Sequence, residues 1–163
     1  MTPAIPPVSI LDPYDGTEIL PLYTTTVTLT GGAAGHGRAS GHARSDDGAL
    51  DIALGMPPEL GGEGKGTNPE QLFAAGYAAC FHGALRLVSI KRGVDLPHDF
   101  AIYCTVSFAR DPVDGRFCIT ADLEVSLPGL DQDRAKELIE ETELMCPYSK
   151  MVYLGISSST RLR

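Results

Sequence analysis

Four cysteines, Cys80, Cys104, Cys118 and Cys146, are the residues best able to do chemistry in this 163-residue chain. A cysteine acts as a nucleophile only as its thiolate, so each candidate needs something to hold its negative charge. A thiol that reduces a peroxide has three further needs. A cation must lie close by, and a second thiol must close a disulfide on the sulfenic acid before it oxidises further. An apolar approach is needed as well if the peroxide is organic. By type, Arg38, Arg44, Arg86, Lys91 and Arg92 are the cations available to Cys80. Other uses of cysteine fit poorly. The cysteines and histidines lack ligand-like spacing, so no metal site is expected. His82 stands two positions after Cys80, which on a helix turns it to a different side, so a Cys–His dyad is not expected.

The elements that must position these thiols can be read from the pattern. Asn68-Pro69-Glu70 is a helix start: a capping residue, proline at the first helical position and an acid in the first turn. The helix should run to about Lys91, apolar nearly all round and rich in small residues, and Gly93 should end it. Cys80 falls near its middle. Burial there raises a thiol pKa, and the helix amino terminus is too far away to help. On helix geometry alone Cys80 is therefore an inert core thiol unless a cation is brought to it. A second helix should begin at Asp131 and end near Cys146, where Pro147 stops it. Ala135, Leu138, Ile139, Thr142 and Cys146 share one face, so Cys146 points inward at the final turn.

Residues 101–110 and 116–127 predict a hairpin around DPVDG. For both apolar faces to meet one core, even positions of the first strand must pair with odd positions of the second. Cys104 then faces inward and Cys118 outward, which excludes a disulfide between them and leaves both structural. Residues 21–30 predict a strand, the glycine-rich run after it a long loop or irregular hairpin, and 49–54 a second strand. The stretch MVYLGISSSTRL reads as a last strand. The order β-β-α-β-β-α-β indicates an α+β domain over 21–163, preceded by a proline-rich arm over 1–20.

The formal net charge of −8 disfavours nucleic acid as a partner, because phosphate backbones would be repelled. No stretch approaches the roughly 18 apolar residues of a membrane span, and the first residues do not read as a secretory signal. The expected compartment is the cytoplasm, where paired cysteines are more often catalytic or metal-binding than static staples.

The segment TNPEQLFAAGYAACF (67–81), followed by CPYS (146–149), resembles the paired signature of the organic hydroperoxide resistance (Ohr) branch of the OsmC/Ohr family. LYTTTVTLTGG, SDDGALDIAL, PPELGG and LPG match in order around it, so the likeness covers about residue 22 to the end. The resemblance implies an OsmC-like fold, with antiparallel sheets wrapped around a long central helix in an intertwined homodimer whose sites lie at the interface. It implies Cys80 as the peroxidatic cysteine, Cys146 as the resolving cysteine and Glu70 as the family's glutamate. Arg38 best matches the family's arginine, with Arg44 as the fallback. No cofactor is implied.

Arg38 would lower the Cys80 pKa and donate to the thiolate or the peroxide, and Glu70 would hold the guanidinium through paired bonds. Glu70 and Cys80 stand about 15 Å apart along a straight helix. Either the chain bends, the arginine bridges the gap, or a dimer partner supplies one group. The substrates implied are alkyl or fatty-acid hydroperoxides, favoured by Phe73, Phe81, Met145 and Tyr148, and the reductant is dihydrolipoamide or a lipoylated protein. The sequence departs from the family's habit in two places: Lys150-Met151-Val152-Tyr153 after CPYS, and His82. The alternative function is a redox sensor or apolar-ligand binder on the same fold, without turnover.

Overall fold

The computed structural model describes residues 12–32 and 40–162. Arg38 and most of the proposed arm lie outside them. The chain divides into two compact units, Asp12–Leu72 and the residues from Phe73 onward.

In the first unit, β1 (Val27–Thr30), β2 (Gly41–Ser45) and β3 (Asp51–Leu54) form an antiparallel sheet in that order. Strand β2 falls where the sequence pattern predicts a loop or irregular hairpin. Only Ala43 and Ser45 turn inward from it, both small, so it carries none of the bulky alternation that marks a strand. Leu29, Ala43 and Ile52 align across the three strands. The β2–β3 turn is held by Ser45 and Asp47: the Leu50 amide donates to Ser45 Oγ, and the Ala49 amide to Asp47. The Ser45 hydroxyl, which donates to Asp47, and then the Ala49 amide hold the Asp47 carboxyl below its ordinary pKa.

The glycine-rich loop after β3 is closed at its neck, where the Gly55 amide donates to Thr67 and the Thr67 amide to Ala53. A methyl group on Gly55 would lie 2.1 Å from the Lys65 carbonyl oxygen, and one on Gly62 1.9 Å from that of Met56. Glycine is required at both because backbone crosses backbone.

Helix α1 (Pro69–Arg92) begins in this unit and supplies the core of the next. Its start is the one expected: Asn68 accepts from the Gln71 amide at 2.8 Å, with Pro69 and Glu70 in the first turn. Gly93, at φ +60°, ends it. By length and composition alone α1 could cross a membrane. Here its buried apolar residues, Tyr77, Phe81, Ala84, Leu85 and Val88, form a protein core.

In the second unit, β4 (Ala101–Arg110) and β5 (Phe117–Ser126) form the expected hairpin. Ile102 faces Val125, Cys104 faces Leu123 and Val106 faces Ala121, so even pairs with odd. Cys118 pairs with Ala109 on the other face. A two-stranded ribbon is marginal alone. It gains stability by packing Ile102, Cys104, Ala121, Leu123 and Val125 with the buried side of α1. Helix α2 (Gln132–Met145) is capped by Asp131, which accepts from the Arg134 amide at 3.1 Å. Leu138 and Thr142 are its buried residues, and the Thr142 hydroxyl donates to the Leu138 carbonyl at 2.6 Å.

The expected last strand is not formed among the described residues: Pro147–Leu154 is a helix, α3, ended by Gly155. Pro147 stops α2 and also opens α3, because its fixed φ suits a first helical position. Residues before proline prefer extended backbone, and Cys146 takes it at φ −73°, ψ 118°, closing one helix and opening the next.

Candidate active site

Cys80 and Cys146 stand 66 positions apart and meet with their sulfurs 3.6 Å from each other. Cys146 is fully buried, Cys80 is half-buried, and both are free thiols. Their setting is apolar: Phe73, Tyr77, Phe81, Ala84, Ile139, Met145 and Tyr148 pack around them.

That setting governs the charge. Burial pushes the Cys80 thiol above its ordinary pKa. The backbone N–H of Tyr148, in the first turn of α3, acts in the opposite direction, and the Cys146 sulfur adds to the rise. One amide offsets part of the desolvation and no more. Cys80 needs a cation from elsewhere to be a thiolate at neutral pH.

Three aromatic rings flank the thiols. Tyr77 stacks on Tyr148 at 5.9 Å between centroids, and Phe73 lies 6.1 Å from each. Tyr148 spreads across α1 where Gly76 leaves room, since a methyl group there would lie 2.9 Å from its hydroxyl. The Tyr77 and Ser149 hydroxyls are hydrogen-bonded at 3.2 Å, both buried. The sequence reading named neither Tyr77 nor Ser149. Their only signal was a hydroxyl three positions from each cysteine, inside otherwise apolar segments.

The remaining candidates fall as follows. Cys104 packs at the edge of the same apolar cluster, and burial raises its pKa, with Asp122 adding to the effect. His82 stacks on Phe100 at 4.4 Å, and the Arg86 guanidinium lies 5.1 Å from the same ring. Burial, and then Arg86, lowers the His82 pKa, so it stays neutral and engaged with Phe100. In the first unit, Glu70 occupies the first turn of α1. The helix runs unbroken from Pro69 to Arg92, so a break in it does not bring Glu70 to Cys80. Arg44 lies in β2 opposite Asp51, with Nε 3.7 Å from its carboxylate, and His42 binds that carboxylate too. Among the described residues no cluster of metal-ligating side chains occurs.

A buried thiol touching a second, less buried one is an arrangement that can cycle between dithiol and disulfide. Known proteins share the sequence and the fold. A family model described as OsmC-like protein matches residues 62–160. The organic hydroperoxide resistance protein of Xanthomonas axonopodis pv. citri (strain 306) is 44% identical over 129 residues, 78% of this chain and 85% of that one. The organic hydroperoxide resistance protein OhrB of Bacillus subtilis (strain 168) is 45% identical over 129 residues, 79% of this chain and 89% of that one. The crystal structure of OhrB superposes with a TM-score of 0.69, covering 81% of this chain and 92% of that one. That of an organic hydroperoxide resistance protein from Legionella pneumophila does so at 0.72 and 40% identity, covering 83% and 93%. The fold is OsmC-like, and the chain belongs to the OsmC/Ohr family, in its organic hydroperoxide resistance branch.

Proposed function

We propose that this protein is a cysteine-based peroxidase that confers resistance to organic hydroperoxides by reducing them to alcohols. The observation that carries this reading is the contact of 3.6 Å between half-buried Cys80 and fully buried Cys146 in an apolar setting. The Cys80 thiolate attacks the terminal oxygen of the hydroperoxide and breaks the O–O bond. The alkoxide leaves, takes a proton and departs as the alcohol, while Cys80 becomes a sulfenic acid. Cys146 then attacks the Cys80 sulfur, the S–O bond breaks, and water leaves as the disulfide forms. A dihydrolipoyl dithiol, free or on a lipoylated protein, returns both thiols by two exchanges and becomes the cyclic disulfide.

In this reading Arg38 supplies the charge that burial makes necessary at Cys80, and Glu70 holds its guanidinium. Arg44 is the weaker candidate, because its side chain is two-thirds exposed and engaged with Asp51. The working form is a cytoplasmic homodimer. Support comes from the apolar side chains left exposed, Val27 and Leu29 on β1 and Phe117 and Ile119 on β5. Sedimentation should give twice the chain mass, and a monomer at micromolar concentration would rule the dimer out. The apolar lining favours alkyl and fatty-acid hydroperoxides over hydrogen peroxide.

The test is dihydrolipoamide-coupled consumption of tert-butyl hydroperoxide. Cys80→Ser should lose about 10³-fold or more of the rate, as removal of a nucleophile does. Cys146→Ser should perform one turnover and then accumulate oxidised Cys80. Tight fatty-acid binding by a wild type without turnover would instead favour a ligand-binding or sensing role.

A further inference from the structure

Among the contacts that α1 makes with Cys146 and α3, two are evenly spaced. Cys80 of α1 meets Cys146 and, three residues before the one and three after the other, Tyr77 of α1 meets Ser149 of α3. On a helix, positions three apart share a face, so the hydroxyl pair forms a second rung one turn from the sulfur pair. Ser149 is fully buried and Tyr77 nearly so, so each hydroxyl needs the other in place of water.

Cys146 stands beside this rung. It sits in extended backbone between two helices, and the helix that follows it has only eight residues. The sulfurs must still approach by about 1.5 Å to reach bonding distance, so the first turn of α3 has to stay in register with α1 while Cys80 carries its extra oxygen.

We propose that the Tyr77–Ser149 hydrogen bond is a positioning element of the resolving step, holding Cys146 in line with the Cys80 sulfenic acid. The proposal rests on the peroxidatic and resolving roles given above. Two fates compete for the sulfenic acid. Attack by Cys146 expels hydroxide, which is protonated to water, and needs no outside electrons. Attack on a second hydroperoxide transfers another oxygen, releases a second alcohol and leaves a sulfinic acid. The ratio of the two products therefore reports how well Cys146 is held, which a general loss of stability would not move.

The experiment compares wild type, Tyr77→Phe, Ser149→Ala and the double variant in single turnovers with tert-butyl hydroperoxide. Tyr77→Phe keeps the ring stacked on Tyr148 and removes only the hydroxyl. The sulfenic acid should form within about twofold of the wild-type rate, while disulfide closure slows about tenfold, a change of the size of one hydrogen bond. The sulfinic fraction at fixed peroxide should rise to match. The double variant should be no slower than either single one, and Ser149→Thr should recover much of the closure rate. Should Tyr77→Phe fail to fold, Ser149→Ala and Ser149→Thr decide alone. Unchanged closure, an equal slowing of both steps, or additive effects in the double variant would overturn the proposal.

A second readout separates this proposal from the peroxidase reading. Dithiobis(nitrobenzoate) forms a mixed disulfide on Cys80, and attack by Cys146 then releases a second thionitrobenzoate. Intact mass distinguishes this product from adducts on Cys104 and Cys118. Slower second release in the variants supports the positioning role even if the wild type reduces no hydroperoxide. Equal release in all variants refutes it even if the wild type does.

Discussion

Cys80 shows how far its setting decides what a thiol can do. Burial alone moves its pKa upward, and the Tyr148 amide only partly opposes that. At pH 7 a raised pKa means less thiolate, by about tenfold for each unit. If Arg38 supplies the missing charge, its removal returns the thiol to the raised value. Alkylation of Cys80 by iodoacetamide should then level off by about pH 8 in the wild type. In Arg38→Ala it should be slow at neutral pH and still be climbing above the ordinary thiol pKa. A plateau at the same pH in both proteins would remove Arg38 from the site, and the same loss in Arg44→Ala would transfer the role.

Helices α1 and α2 follow local rules closely. Each starts on a side chain that accepts from the third amide onward, Asn68 at 2.8 Å and Asp131 at 3.1 Å. Asn68→Ala should cost about 1 kcal/mol, seen as a fall in Tm of about 2–4 °C for a chain of this size. No change would mean that Pro69 and Thr67 hold the start without the cap. The hairpin register was legible because its two faces differ so plainly in polarity, and it separated Cys104 from Cys118 without coordinates. Strand β2 was not, since Ala43 and Ser45 are too small to announce an inner face. Residues 151–162 misled in the other direction. Val152, Leu154 and Ile156 alternate like a strand, yet Pro147 had already opened a helix. The Tyr77–Ser149 bond spans 72 positions, a pairing that no local pattern encodes.

For the molecule as a whole, the contact between Cys80 and Cys146 has a consequence apart from catalysis. Oxidation would tie the middle of α1 to the joint between α2 and α3 and close a covalent loop across 66 positions. A loop of that length restricts the unfolded chain by roughly 4 kcal/mol on the loop-entropy estimate. In the proposed cycle each turnover would therefore shift the protein between two melting temperatures, the oxidised form higher by about 8–16 °C if the whole effect is expressed. Scanning calorimetry of the dithiol and disulfide forms checks this, and equal midpoints would refute it. A cell short of reductant would then accumulate its hardiest form, so the spent enzyme would outlast the active one under heat or proteolysis until reducing power returned.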